Sequence, residues 1–402
     1  MNESAKQAAD HNRRRNKRTL LVAALLITLL GAVAGAILVP QELARRDAQP
    51  IPTHSPMHRK PPRAGAAGAA RPIPFARGVC WEAAGEIDST DLDPLLRIHA
   101  NWISETPFGW QRGPDTPEIR GSYEGAAPQT RPPRDARRYH GFWGESDEGV
   151  LATTRWAHAR GIRVLLKPHI WTRGGWSGSI AMKNEEDWAR WFAGYRGFIL
   201  HYADLAERSG AEALAVGTEL GGTTAREREW RAIVAEVRRH YHGTLVYCAN
   251  WAEDLHHTQF WDALDWIGVQ AYYPLCDQRA PTTQALVRAW SGPLADLETI
   301  AKIWGKPVVL TEVGYHSLDT AAIRPWEWDL PGSLSMETQA RCYEALFQAV
   351  SDHPVVHGVF IWKWHPDYSR AGGPGDTEYS PQRKPAEAVL ARGYAAIERR
   401  GI

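Results

Sequence analysis

From Phe75 onward, short apolar runs alternate with stretches of helical period. The runs are Ala76–Trp81, Ala100–Glu105, Ile162–His169, Ala213–Glu219, Thr244–Asn250, Trp266–Tyr272, Pro307–Val313 and Gly358–Trp364. Several are nearly continuous Val, Leu and Ile, the pattern of parallel strands buried on both faces. Between them lie amphipathic segments. Ser146 can cap a helix that ends at Gly161, with Asp147 and Glu148 in its first turn. Asn184 can cap a longer one carrying Trp188, Trp191, Tyr195, Phe198 and Tyr202 at three- and four-residue spacing. Further helices are expected over Ala225–Tyr241, Thr283–Trp304, Met336–Asp352 and Pro385–Arg399. Strand then helix, repeated eight times, predicts an α/β fold: a single (β/α)8 TIM barrel. No G-x-G-x-x-G or P-loop follows any strand, which argues against a nucleotide-binding open sheet. Two insertions, Gln111–Trp143 and His316–Ser335 with Trp326 and Trp328, follow strand ends. Both are therefore expected on the face where barrels place their active sites.

The amino end follows a different pattern. Lys6, Arg13, Arg14, Arg15, Lys17 and Arg18 precede an uncharged run from Thr19 to Val39, stopped by Pro40. Such a run spans about 30 Å as a helix, the thickness of one hydrocarbon core. The expected organisation is a basic cytoplasmic end (1–18), a transmembrane signal anchor (19–39), a flexible linker (40–72) and a barrel domain (73–402). Pro50, Pro52, Pro56, Pro61 and Pro62 break any helix in the linker, and Gly65–Ala70 offers no core. The barrel would then be membrane-anchored and extracytoplasmic, periplasmic or at the cell surface. The small-residue stretch Ala32–Ala36 leaves cleavage and secretion open.

Composition sharpens this picture at two points. The net charge of +1 is near zero and gives no support for nucleic-acid binding. The 19 Trp, against 8 Phe and 4 Met, exceed what core packing needs. Flat apolar rings with one donor suit stacking on sugar faces, so carbohydrate becomes a candidate substrate. Cys80, Cys248, Cys276 and Cys342 are scattered without zinc spacing, and the adjacent His256 and His257 diverge on a helix, so no metal site is expected. Nothing indicates more than a monomeric catalytic domain.

The chemistry concentrates on two strands. Ala213–Glu219 and Pro307–Glu312 are apolar runs that each end in Thr-Glu. A carboxylate at the end of a buried strand costs several kcal/mol if left unsolvated, so it needs a reason. At the carboxyl end of a barrel, Glu219 and Glu312 can both face the central cleft. Two carboxyls about 5–5.5 Å apart are what a retaining glycosidase needs, one attacking the anomeric carbon and the other protonating the leaving oxygen. An inverting pair would stand about 6.5–9.5 Å apart, and a pair of structural salt bridges is the plainer alternative.

These residues resemble glycoside hydrolase family 113, the β-mannanase group, within the superfamily of retaining barrels with the acid/base after strand 4 and the nucleophile after strand 7. The matching pieces are Leu166–His169 with Trp176 downstream, Gly217–Leu220, Tyr247–Trp251, Phe260–Gly268, Ala271–Leu275, Leu310–Tyr315 and Phe360–Trp364. They keep their order and strand placement over about residues 75–395. The resemblance implies that Glu219 is the acid/base and Glu312 the nucleophile of a metal- and cofactor-free double displacement on β-linked hexosides, with β-1,4-mannan or manno-oligosaccharides as substrate. It also implies that a strand-6 Tyr holds the nucleophile ionised, Tyr272 or its neighbour Tyr273. Thr218 stands where most of the superfamily has Asn, a feature shared with this family.

Other residues are candidates for sugar binding. His169 would donate to a hydroxyl. Lys167, placed on the opposite side by strand alternation, is read as structural. Asn250 could bind a hydroxyl or cap its loop. Trp362 offers a flat floor for the cleaved sugar, with Trp364, Trp176 and Trp171 as further stacking candidates. Trp188, Trp191 and Tyr195 repeat at helical spacing and read as core. Beside the mannan reading stand an exo-acting β-mannosidase- or xylosidase-like enzyme, an exopolysaccharide hydrolase, and a catalytically silent surface barrel that only binds sugar.

Overall fold

The computed structural model describes residues 74–401, apart from 83, 84, 86 and 122–141. The expected basic end, membrane anchor and linker lie outside the described residues, as does most of the insertion after strand 2. Among the described residues no helix is long and apolar enough to cross a membrane.

The strands in chain order are β1 (Ala76–Trp81), β2 (Trp102–Glu105), β3 (Phe108–Gln111), β4 (Ile119–Gly121), β5 (Arg163–Leu166), β6 (His169–Thr172), β7 (Ala213–Thr218), β8 (Thr244–Asn250), β9 (Trp266–Gln270), β10 (Val308–Val313) and β11 (Val356–Trp364). Eight of them close into a parallel barrel in the order β1-β11-β10-β9-β8-β7-β5-β2. Each corresponds to one predicted apolar run, with ends moved by at most a few residues. This closed, all-parallel arrangement is consistent with the expected (β/α)8 barrel.

The remaining strands form a small second sheet in the order β4-β3-β6. Its origin is local. The runs leading from β2 and β5 each meet a proline, Pro107 and Pro168, two residues past their last barrel residues. Proline cannot donate to a ladder, so both chains leave the barrel there. They pair again beyond it, Phe108 opposite His169 and Trp110 opposite Trp171. The predicted run Ile162–His169 is thus two strands in two sheets.

Inside the barrel, Ala76, Cys80, Trp102, Leu165, Ala213, Ala215, Val246, Cys248, Trp266, Val309 and Phe360 pack as one cluster. The alternate residues face the helices. The long helix Glu185–Ser209 begins at Asn184, whose side chain accepts from Asp187 N, and ends at Gly210 in the left-handed region. Its Trp191 and Tyr195 stack 5.0 Å apart, and Tyr195 lies 5.3 Å from Trp230 of the next long helix, Glu227–His240. Much of the tryptophan excess therefore serves the core. The predicted Thr283–Trp304 helix is split into Thr283–Ala289 and Ser291–Trp304. All four cysteines are free thiols.

Candidate active site

Both strand-end glutamates lie where their strands depart from regular pairing. The β7–β8 register shifts between Ala215 and Gly217, and β10 shifts against β9 between Leu310 and Glu312. Leu310 faces the helices, so strict alternation would send Glu312 outward too. The irregularity re-aims it into the barrel mouth, a common use of bulges near active sites. Glu219 follows β7 with φ of 51°, a left-handed conformation that a non-glycine residue adopts at a cost of about 1–3 kcal/mol. Its turn is held by Glu219 N donating to Cys248 O at 2.8 Å and Leu220 N donating to the Tyr247 hydroxyl at 3.0 Å.

Glu312 is buried and surrounded by donors. Lys167 Nζ contacts its Oε1, and the Tyr272 hydroxyl donates to its Oε2 at 2.8 Å. Burial is the largest single influence and would raise the Glu312 pKa, but the Lys167 charge, the lesser influence of His169 and the hydrogen bonds from Lys167 and Gln270 together outweigh it and hold the carboxyl below its ordinary range. Glu219 has the opposite balance. Burial, and then the negative charge of Glu312, push its carboxyl up to about 7, against hydrogen bonds that lower it. Those bonds come from Asn250 Nδ2 to Oε1 at 2.8 Å and Trp176 Nε1 to Oε2 at 3.3 Å. His169 Nε2 lies 3.7 Å from Glu312 Oε1 and has no hydrogen-bond partner among the described residues. Burial and the nearby Lys167 push its pKa down to about 3, so the ring is neutral at physiological pH.

Two carboxyls with divergent proton affinities, bordered by a neutral histidine and exposed indoles, can support acid-base chemistry. The model of Glycoside Hydrolase Family 113 matches residues 129–384, well over half the chain. The chain belongs to glycoside hydrolase family 113. It is a glycoside hydrolase, and its family implies a polysaccharide or oligosaccharide substrate. Among solved structures, a GH113 β-1,4-mannanase in a complex superposes with a TM-score of 0.68 at 25% identity, covering 81% of this chain and 100% of that one. The GH113 β-mannanase AaManA from Alicyclobacillus acidocaldarius, in complex with ManMIm, gives 0.67 at 30% identity, covering 81% and 98%. A family 5 mannosidase from Rhizomucor miehei shares the fold at 0.53 and 10% identity, covering 81% and 94%. No curated protein sequence matches the chain.

The barrel gathers Glu219, Glu312, His169, Trp176, Asn250 and Tyr272 through the contacts above. Trp362 joins them, its ring 5.9 Å from Lys167 Nζ and packed on the barrel-interior cluster. Tyr273, three residues past the end of β9, lies on the helix side of the barrel wall, away from Tyr272. It packs 5.6 Å from Trp290 and 5.3 Å from Trp251. Trp364 is fully buried among the helices beside Tyr368, a core position rather than a stacking surface.

Sequence reasoning missed Lys167. Strand alternation puts residues two apart on one face, so Lys167 lies on the inward side with Leu165, and its expected placement on the opposite side is corrected. Pro168 ends that strand, and His169 approaches the site from the second sheet. Asp254 was also missed. It accepts from the Tyr247 hydroxyl at 3.0 Å and from Asn250 N at 3.1 Å, so it braces both residues that steady Glu219.

Proposed function

We propose that this glycoside hydrolase cleaves β-linked mannosides, β-1,4-mannan or manno-oligosaccharides, with retention of configuration. The observation that carries the reading is the opposed electrostatics of the glutamates: Glu312 held ionised beside Lys167, Glu219 held protonated up to about 7. In this reading the Glu312 carboxylate attacks the anomeric carbon as Glu219 protonates the departing oxygen. The glycosyl-enzyme ester then breaks when Glu219, now a base, takes a proton from water. Tyr272 keeps one Glu312 oxygen oriented while the other reacts. Asn250 and Trp176 position Glu219, His169 Nε2 is available to a sugar hydroxyl, and Trp362 offers its ring to the sugar at the cleaved bond. The mannanase structures support the choice of mannan, and the pair of divergent carboxyls favours catalysis over the silent sugar-binding alternative.

The test uses Glu219→Ala and Glu312→Ala with an aryl β-mannoside carrying a good leaving group. Glu219→Ala should still form the glycosyl-enzyme and then stall. Azide should restore turnover and give the β-azide. Glu312→Ala should react with azide only by direct displacement, giving the α-azide. The exchanged outcome would reverse the two roles, and cleavage of other β-glycosides but not mannosides would move the substrate assignment.

A further inference from the structure

The segment after β10, His316–Ser335, carries two strongly exposed indoles, Trp326 at 44% and Trp328 at 58% of full exposure. Exposed tryptophans normally lie singly on a surface. These two lie two residues apart on a segment fixed by its backbone. The Tyr379 hydroxyl donates to Pro325 O at 2.7 Å, and His316 Nε2 lies 3.2 Å from Glu327 O. The carbonyls on both sides of Trp326 are thereby anchored. Arg279 pairs with Asp319 at 3.0 Å, and the Asp319 side chain accepts from Ser333 N at 2.9 Å.

Each indole is also continuous with the catalytic groups. Trp326 packs 5.6 Å from Trp251, the residue after Asn250, which holds Glu219. Trp328 packs 5.9 Å from Tyr379, which lies 6.4 Å from Tyr272, the donor to Glu312. Lys363 Nζ lies 5.4 Å from the Trp328 ring and 5.6 Å from the Trp362 ring, joining the two aromatic surfaces.

We propose that Trp326 and Trp328 form a pre-set stacking platform that binds pyranose units of a polysaccharide beyond the cleaved bond, and so give the enzyme a preference for long chains over short ones. The proposal rests on the glycosidase reading and adds to it a chain-length preference. A fixed aromatic ring loses little freedom when a sugar face settles on it, so its contribution appears in binding. The partner is a chain with exposed C–H faces, because the surface offers rings, and the cations beside them, Lys363 and Arg324, are already paired with Glu82 and Glu327.

The experiment compares Trp326→Ala, Trp328→Ala, Trp328→Phe and the double alanine variant on polymeric mannan and on an aryl β-mannoside. Each alanine change should raise KM for mannan by about two- to tenfold with kcat nearly kept. The ratio of mannan to aryl-mannoside efficiency should fall accordingly, furthest in the double variant, with Trp328→Phe in between. Equal losses on both substrates would make the segment a scaffold and overturn the proposal, as would unchanged mannan KM. If the parent enzyme does not cleave mannan, retardation of Glu312→Ala in gels containing mannan, xylan or glucan separates the two ideas. Loss of retardation with the double alanine change in that background keeps the platform while discarding the substrate assignment. Retardation unaffected by those changes overturns the platform.

Discussion

Lys167 shows how one buried charge can set a pH profile. Its ammonium is fully buried against Glu312 and also lies 3.3 Å from Thr311 O. In the proposed mechanism Glu312 works as an anion, and its depressed pKa keeps it ionised to low pH. Removing the cation lets burial raise that pKa, so activity should be lost first on the acidic side. Lys167→Met is therefore expected to move the acidic limb of kcat/KM upward by about 1–3 pH units. The alkaline limb, assigned in this mechanism to Glu219 near pH 7, should move less, because burial and the Glu312 charge dominate that carboxyl and Lys167 acts on it only weakly. A pH–rate series on an aryl mannoside checks this. Equal displacement of both limbs, or none, would show that Lys167 does not govern Glu312.

At the scale of elements, the site depends on how closely two short segments approach. Gly221–Thr224, directly after the Glu219 turn, packs on the Ser177–Ser179 turn that follows Trp176. A Cβ on Gly222 would fall 2.3 Å from Ile180 O and 2.9 Å from Gly178 O. Both are backbone atoms, so neither can swing away. Gly222→Ala should cost about 1–3 kcal/mol of stability and lower kcat by separating Trp176 from Glu219. Gly197, exposed in the long helix with nothing within 4 Å of its Cβ position, is the contrast. Gly197→Ala should hold or raise stability by up to about 1 kcal/mol and leave activity unchanged. Thermal unfolding and mannan assays on the two variants test the pair; equal behaviour would mean that the approach at Gly222 is not limiting.

For the whole molecule, the closing contact is between the first and last barrel strands: β1 pairs with β11 from Ala76 opposite Gly358 onward. The barrel is therefore complete from Ala76. We propose that residues 19–39 hold it at the outer side of a membrane through the linker. A chain starting at Ile73 should fold, stay in the soluble fraction and keep full kcat, whereas the full chain should sediment with membranes and resist extraction by carbonate. A full chain that remains soluble with residues 1–18 still attached would overturn the anchor. A truncated chain that aggregates would instead make the amino segment part of the fold.

The strand–helix alternation, the eight barrel strands and the two carboxylates were legible in the chain, because buried parallel strands are written as local apolar runs and a Glu at their end stands out. The sequence also selected Tyr272, Asn250, Trp176 and His169 for the neighbourhood. Which way several side chains of the site point came from the folded barrel alone. Face assignments from sequence assume an unbroken period of two, and here that period is interrupted at Pro168, between Ala215 and Gly217, and between Leu310 and Glu312. The shifts in β7 and β10 each reverse a face, whereas Lys167, two residues from both Leu165 and His169, stays on the inward side. For Tyr272 and Tyr273, which lie past β9, the near neighbours come from distant segments: Glu312 for the first, Trp251 and Trp290 for the second. The proton affinities followed the same rule: Glu219 and Glu312 both end strands in Thr-Glu, yet they diverge because a lysine 145 positions away in the chain reaches only one of them.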